Sequence, residues 1–239
     1  MTAAQLTAAQ RRKLTAVFAA AGIALGAAAC SSSAGGVPGP GALSYGSVRS
    51  TAEKLQQDKQ DTCPFGLDLG KALQAAGIPG TATPDHEYGH AVQGSVGDGL
   101  PPQPWPSGAS HPPAMPSIPA TPPHADVICA YQVGTARLDL ELFAVPQPEV
   151  AVNLLLPGIQ RAAGLPVAAL QQVATEQPGP GQTRLLGSKG TAALARIAHQ
   201  GEGDIVLMLS QNPSTGEPDQ ALTGEPLRKA AAALVDQLH

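Results

Sequence analysis

The sequence has few aromatic and few charged residues. Aromatic residues make up 3% of the chain and charged residues 13%, about half the usual charged fraction. With so few aromatic rings, the core must be built from Leu, Val, Ile and Ala, so the burial per residue is modest. The net charge of −4 includes no basic stripe that could neutralise phosphates. Nucleic acid is therefore not an expected partner.

Near its N-terminus the sequence has an apolar run that is too short for a membrane span. Residues 14–28 are apolar or small, whereas a transmembrane helix needs about 20 such residues. Residues 10–13 (QRRK) precede the run, and small residues and a polar Ser stretch follow it. This order of basic, apolar and small residues is typical of a secretory signal. It predicts a signal peptide over residues 1–29 and an exported protein.

Cys30 follows the small residues directly, in the string AAAC. This segment resembles a bacterial lipobox, which implies that the Cys30 thiol is acylated and becomes the mature N-terminus. Ala27 stands where a large aliphatic residue is usual, and the three alanines also suit ordinary signal peptidase. We expect a lipid anchor on Cys30, a flexible tether over residues 30–46 and a location on the outer face of the cell membrane. Secretion without a lipid is the alternative.

The chain contains only three cysteines, an odd number. If Cys30 carries lipid, Cys63 and Cys129 remain as a pair in an oxidising compartment, where disulfides persist. Their bridge would close a loop of roughly 65 residues and stabilise the fold by about 4 kcal/mol. Two free buried thiols are the alternative.

Residues 47–239 are predicted to form a single α+β domain. The S-x-x-E pattern from Ser50 to Glu53 indicates a capping box that opens the first helix, and a second helix is expected over residues 67–76. Residues 126–133 and 135–145 are predicted strands. In the second, Leu138, Leu140 and Leu142 alternate with charged residues, as in a half-buried strand.

The later part of the domain alternates between helices and strands. A helix from Pro148 is expected to kink or end at Pro157, and another helix covers residues 166–175. A strand over 183–186 and a hairpin of 191–199 with 204–210 follow. The last helix has Pro226 at its first position. The prediction is an α+β fold with an antiparallel sheet of about five strands, N- and C-terminal helices packed on it, and one covered face.

Residues 78–125 show no helical or strand periodicity and are rich in Pro and Gly. Structureless stretches of this length are uncommon inside compact domains. We interpret the segment as a solvated insertion whose base is held by the Cys63–Cys129 bridge.

Three segments together carry a resemblance: TCPFGLDLGKALQAAG, ADVICAY and the late Gly-plus-hairpin-plus-helix pattern. They resemble actinobacterial cell-envelope lipoproteins, some of which resemble the Mog1/PsbP-like fold. The resemblance implies an envelope protein with a binding or scaffolding role.

One short motif carries chemistry. Residues 86–90 (HEYGH) match H-E-x-x-H, in which two His ligate Zn²⁺ from one helix face and the Glu acts as general base. The string HEYGHAVQ resembles the active-site segment of neutral zinc metallopeptidases, which would assign His86 and His90 to the metal and Glu87 to catalysis. Gly89 and Gly94 disfavour a helix here. A third ligand is missing, since Asp98 does not have the required spacing and His111 and His124 lie in proline-rich sequence.

No other catalytic arrangement stands out. His199, Asp204 and Ser210 surround one hairpin, but the sequence has no G-x-S-x-G nucleophile elbow. Glu149 and Arg161 are interpreted as solvated side chains. The sequence therefore favours a non-enzymatic, lipid-anchored envelope protein without a cofactor that binds a small ligand or protein partner. A zinc metallopeptidase is the alternative.

Overall fold

A computed structural model describes residues 43–87, 89–199, 202–212 and 218–239. The predicted signal peptide 1–29, the lipid-modified Cys30 and the tether up to residue 42 lie outside the described residues. Within these ranges, no helix has the length and apolarity needed to cross a membrane.

The described residues form an α+β fold, as the sequence predicts, with helices at both ends and an antiparallel sheet. The sheet has seven strands in the described ranges rather than about five. A short 3-10 helix, Gln220–Leu222, precedes the last helix. The helices are α1 Tyr45–Leu55, α2 Leu69–Ala75, α3 Ala151–Ala163, α4 Val167–Thr175 and α5 Gly224–Asp236; the strands are β1 Ala82–Pro84, β2 Val92–Gly97, β3 His124–Val133, β4 Ala136–Val145, β5 Thr183–Leu186, β6 Ala192–Arg196 and β7 Asp204–Gln211.

Strands β4 and β7 form the centre of the sheet. The strand order is β1-β3-β4-β7-β6-β5, and β2 also pairs with β3. Strands β1 and β2 pair with successive parts of β3, at residues 131–133 and 124–129. Every pairing between these strands is antiparallel. The long β3 therefore receives two short strands on the side opposite β4.

The prediction for residues 78–125 is wrong in part, because this segment contributes both β1 and β2. Gly94 lies where β2 passes under α1: a Cβ atom there would stand 2.4 Å from the carbonyl oxygen of Ala52. A side chain at position 94 would collide with α1, so β2 requires glycine there. A strand is recognised in the sequence from alternating apolar side chains, and this glycine interrupts the alternation. Beyond β2, two isolated bridges, Leu100 with Thr121 and Gln103 with Ile118, hold a proline-rich arm in a loose hairpin.

Several helix boundaries also differ from the prediction. Helix α1 begins at Tyr45, because Ser44 and Ser47 form the capping box instead of Ser50 and Glu53. The predicted tether over 30–46 therefore ends too late. Helix α3 continues through Pro157 to Ala163, since its apolar residues on both sides of the proline are buried against the sheet. Helix α5 begins at Gly224, so Pro226 is its third residue.

Helices cover both faces of the sheet, which corrects the expectation of one covered face. Helices α1, α2 and α5 enclose the larger core on one face. Helices α3 and α4 enclose a smaller core on the other face, against β4, β6 and β7. Strand β7 is buried at every position, so its continuous apolar run is the signal of a strand covered on both sides.

The Cys63–Cys129 disulfide is confirmed. The two Cα atoms are 5.8 Å apart and the cysteines are separated by 66 positions in the sequence. Cys129 lies in the middle of β3 and Cys63 in the connection from α1 to α2, and both side chains are buried in the larger core. The bond therefore ties the N-terminal helices to the sheet.

Replacing Cys63 and Cys129 together by Ser is expected to lower the free energy of unfolding by about 4 kcal/mol, because the unfolded chain loses a constraint on a long loop. Chemical denaturation with circular dichroism measures the change, and the spectrum of the folded protein should keep its shape. Cys30→Ser is the control and should leave the midpoint unchanged. An unchanged midpoint in the double variant would contradict this account.

Candidate functional site

The H-E-x-x-H segment lies in the loop between β1 and β2 rather than on a helix. Gly89 has a φ of 111° and its amide donates to the carbonyl oxygen of His86 at 3.1 Å, which closes a turn. His86 is exposed and its Nδ1 lies 3.6 Å from a carboxylate oxygen of Asp61. His90 is partly exposed. Tyr88 is outside the described residues. The helix that would align the two histidines does not form.

The candidate third ligands are engaged elsewhere. Asp98 accepts from Arg49 at 2.6 Å. His111 stacks on Trp105 with ring centroids 5.4 Å apart, and His124 stacks on Phe143 at 5.6 Å. Across the described ranges, no three His, Cys, Asp or Glu side chains are placed to hold one metal ion. These residues therefore do not fit the three-ligand pattern of catalytic zinc.

Glu87, the predicted general base, lies at the edge of an ion cluster around a buried arginine. Arg137 Nη1 is 3.9 Å from Glu87 Oε2. Arg137 Nε lies 3.4 Å from Asp85 Oδ2 and 3.1 Å from Asp139 Oδ1. The Arg137 side chain is 8% exposed, so this cluster neutralises a charge that the fold has buried.

The three residues around the β6–β7 hairpin are not a catalytic triad. Asp204 forms a 2.7 Å ion pair with Arg196 and accepts the backbone amide of Ala151 at 3.0 Å. Asp204 and Ser210 stand near opposite ends of β7, roughly 20 Å apart at the rise of a strand. His199 Nδ1 lies 3.3 Å from the carbonyl oxygen of Ile197. Asp204 instead fixes the start of α3.

A cleft opens on the α3 side of the sheet, where that helix stops covering β3 and β4. Its volume is about 410 Å³, within the range of small-ligand pockets. We call it the carboxyl cleft. It is lined by Asp126 and Ile128 of β3, Asp139 and Glu141 of β4, Gly158, Arg161 and Ala162 of α3, and Met208, Ser210, Gln211 and Asn212 at the end of β7.

Strand register brings the carboxyl groups of this cleft together. Ile128 is opposite Glu141, and Asp126 is opposite Phe143, so Asp126 and Glu141 are diagonal neighbours on one face. The alternate residues of β4 point into the larger core. Helix α3 packs over β7, β6 and the last residues of β4, which leaves β3 and the middle of β4 open beside it.

Burial and mutual repulsion disfavour the charged forms of two of these groups. Desolvation, followed by the charge of Glu141, raises the pKa of Asp126 to about 8. Desolvation and the charge of Asp139 raise the pKa of Glu141 to about 7, against the opposing effect of Arg161. Perturbed carboxyl groups inside a cleft are typical of functional sites.

The carboxyl groups of the cleft differ in their partners. Asp139 accepts from Arg137 Nε at 3.1 Å and from the side-chain amide of Asn212 at 3.0 Å. Asp126 Oδ1 is buried and has no hydrogen-bond partner in the described part of the chain. Within the same ranges, Glu141 forms neither a hydrogen bond nor an ion pair. The backbone amide of Val127 lowers the pKa of Asp126, and the charge of Arg161 lowers that of Glu141, but both effects are smaller than the cost of desolvation. Two carboxyl groups of the cleft are thus left without a side-chain hydrogen bond or a close ion pair in the described ranges.

Sequence reasoning missed this site and found the loop motif instead. The alternation in β4 predicts that its charged residues lie on the solvated side of a half-buried strand. The prediction of a solvated Arg161 agrees with its exposure. A signal existed in Asp126, the third residue of β3, because its neighbours on both sides, Ala125 and Val127, are apolar. Its meaning depended on the pairing of β3 with β4 and on where α3 ends.

Comparisons with protein-family models, with curated proteins and with solved structures find no match to this chain. The resemblance to envelope lipoproteins and to the Mog1/PsbP-like fold stays a prediction.

The raised pKa values predict how stability depends on pH. A carboxyl group whose pKa is higher in the folded protein than in the unfolded chain favours folding at low pH, and this contribution is lost as the pH rises through the folded pKa. The free energy of unfolding contributed by Asp126 and Glu141 should therefore fall between about pH 4 and pH 8.

Asp126→Asn should weaken this pH dependence. The free energy of unfolding of the variant should therefore increase relative to that of the natural chain as the pH rises. Urea denaturation at a series of pH values measures the difference between the two proteins. Asp236→Asn, on the exposed side of α5, is the matched control and should change little. A difference that shrinks with pH would contradict the assigned pKa of Asp126.

Proposed function

We propose that this chain is an exported, lipid-anchored binding protein of the cell envelope that takes a small ligand in the carboxyl cleft and catalyses no reaction. The N-terminal sequence up to Ser33 supports export and lipid anchoring, because it has the basic, apolar and small residues of a secretory signal followed by Cys30. The geometry of the cleft supports the binding role.

The observation that carries the proposal is a pair of carboxyl groups that form no side-chain hydrogen bond and no close ion pair within the described ranges. A polar group removed from water without compensation destabilises the fold by about 1–3 kcal/mol. Arg137 and Asp204 show how this chain compensates buried charges elsewhere, with ion pairs and amide donors. Asp126 and Glu141 have only the Val127 amide and the more distant charge of Arg161, which do not offset their desolvation. Sites that break a general rule of folding are typically functional.

The described lining of the cleft lacks the usual partner of a catalytic hydroxyl group. Ser210 is the hydroxyl group of the cleft, and no histidine lines the cleft to activate it. Binding accounts for the cleft with fewer assumptions than a reaction does.

Closing the cleft with a side chain tests the binding role. Gly158 lies in the wall formed by α3, and a Cβ atom there meets no other atom within 4 Å. Gly158→Met should keep the fold while its side chain enters the cleft. A thermal-shift screen of small molecules should find ligands that stabilise the natural chain and lose this effect in the variant.

Gly46→Met is the control, because Gly46 is exposed on α1, which packs on the opposite face of the sheet. It should bind as the natural chain does. Ligands that stabilise Gly158→Met fully would place their site elsewhere, and a screen without any ligand would count against a binding role.

The lipid anchor is tested separately. Cys30→Ala removes the acylated thiol, so the protein should move from the membrane fraction to the medium. Immunoblots of the fractions measure this, with Ser32→Ala as a control that should remain on the membrane. Equal membrane association of Cys30→Ala would refute the anchor.

A further inference from the structure

We infer that the carboxyl cleft selects a small organic cation, a protonated amine on a compact apolar body, an inference that rests on the proposed binding function. The polar groups of the cleft, its apolar wall and its remaining charges all bear on this choice.

The unpartnered groups match the donors of an ammonium ion. An ammonium group carries three N–H donors and no acceptor. The cleft offers the free oxygen of Asp126 and the carboxyl group of Glu141, acceptors on adjacent strands that are diagonal neighbours in the register. Ser210 is opposite Asp139 and lies on the other side of Glu141, so it is not part of the same contact. Neither of these two carboxyl groups is engaged in a hydrogen bond with another side chain in the described ranges. A cation between them would give both carboxyl groups a charged partner.

The apolar side chains of the cleft define the rest of the ligand. Ile128 and Met208 lie on either side of Glu141, since each is opposite it in the strand register. The ammonium group would therefore approach a carboxyl group flanked by two apolar side chains. A compact hydrocarbon body would cover them and exclude water, which strengthens the charge contact.

The other charged groups that face the cleft limit the ligand to one positive charge. Asp139 on β4 is already engaged by Arg137 and Asn212. Arg161 on α3 is exposed and close enough to lower the pKa of Glu141. Its positive charge would repel a second cationic group near the opening. Strand β2 brings no charged side chain to the cleft.

A cation should displace protons from the cleft. The carboxyl groups hold their protons near neutral pH because they are desolvated and close together. An ammonium ion stabilises the ionised carboxylates, so its binding releases protons to the buffer. Proton release separates charge recognition from simple filling of an apolar pocket.

Three probes of matched shape and different charge test the inference on the full chain: cyclohexylammonium, cyclohexanol and cyclohexanecarboxylate. Calorimetric titration at pH 6.5, in two buffers of different ionisation enthalpy, measures both affinity and protons released. Cyclohexylammonium should bind at least about tenfold more tightly than the alcohol, the scale of a charged hydrogen bond. It alone should release protons, and the carboxylate should bind weakest.

Asp126→Asn and Glu141→Gln should each weaken the binding of cyclohexylammonium about tenfold or more and reduce proton release. Asp236→Asn should leave both unchanged. Each substitution removes a desolvated carboxyl group that destabilises the folded protein, so both variants are expected to fold. The thermal midpoint of each variant checks this. If either variant fails to fold, Gly158→Met should abolish the ammonium signal on its own.

Tighter binding of cyclohexanol or cyclohexanecarboxylate, lost in Gly158→Met, would overturn the cation inference and leave the binding function standing. Cyclohexylammonium that fails to bind at millimolar concentration, or that binds without proton release, would also overturn it. Failure of the binding function itself is judged by the ligand screen, which includes every charge class.

Discussion

Strand β4 imposes the constraint on which the rest of the structure depends. Its leucines at 138, 140 and 142 fill the larger core, and because strand side chains alternate, Asp139 and Glu141 must face the other way. A shift of one residue would bury two carboxylates in the core, so the register is strongly determined. The pairing of β4 with β3 and β7 then aligns Asp126 and Ser210 beside these carboxylates. The same alternation that builds the core therefore builds the cleft.

The sequence predicted the helices and strands whose buried side chains recur at a regular helical or strand spacing. It failed for the elements whose position depends on contacts with distant parts of the chain. The alternation in β4 and the apolar face of α5 at Leu227 and Leu234 are both seen in the structure. Strands β1 and β2 were missed because they are short and defined by pairing with β3, and because Gly94 exists for its closeness to α1. The position of α3 over half of the second face, which opens the cleft, follows from no sequence period.

Buried charges in this protein fall into two groups with different physical roles. Arg196 with Asp204, and Arg137 with Asp85 and Asp139, are close pairs that neutralise one another. Such pairs often add little net stability but are costly to break. Asp126 and Glu141 are instead neighbours of like charge, and their protonated forms are the compensation. The ion pairs of the first group stabilise the strands and the loops that join them. The carboxyl groups of the second group stay available to a ligand in the cleft.

The bond from the Ala151 amide to Asp204 joins positions 53 residues apart, and the β4–β7 pairing is also distant in the sequence. From this separation we expect the middle of the sheet to form late in folding. The β3–β4 and β6–β7 hairpins pair strands that follow one another in the sequence, whereas β4 and β7 are separated by α3, α4, β5 and β6. Closing such a long loop costs entropy that only the finished sheet repays. The cleft contains residues of both hairpins, so it forms only when β4 pairs with β7. Ligand binding would thus report that an exported chain has completed its folding.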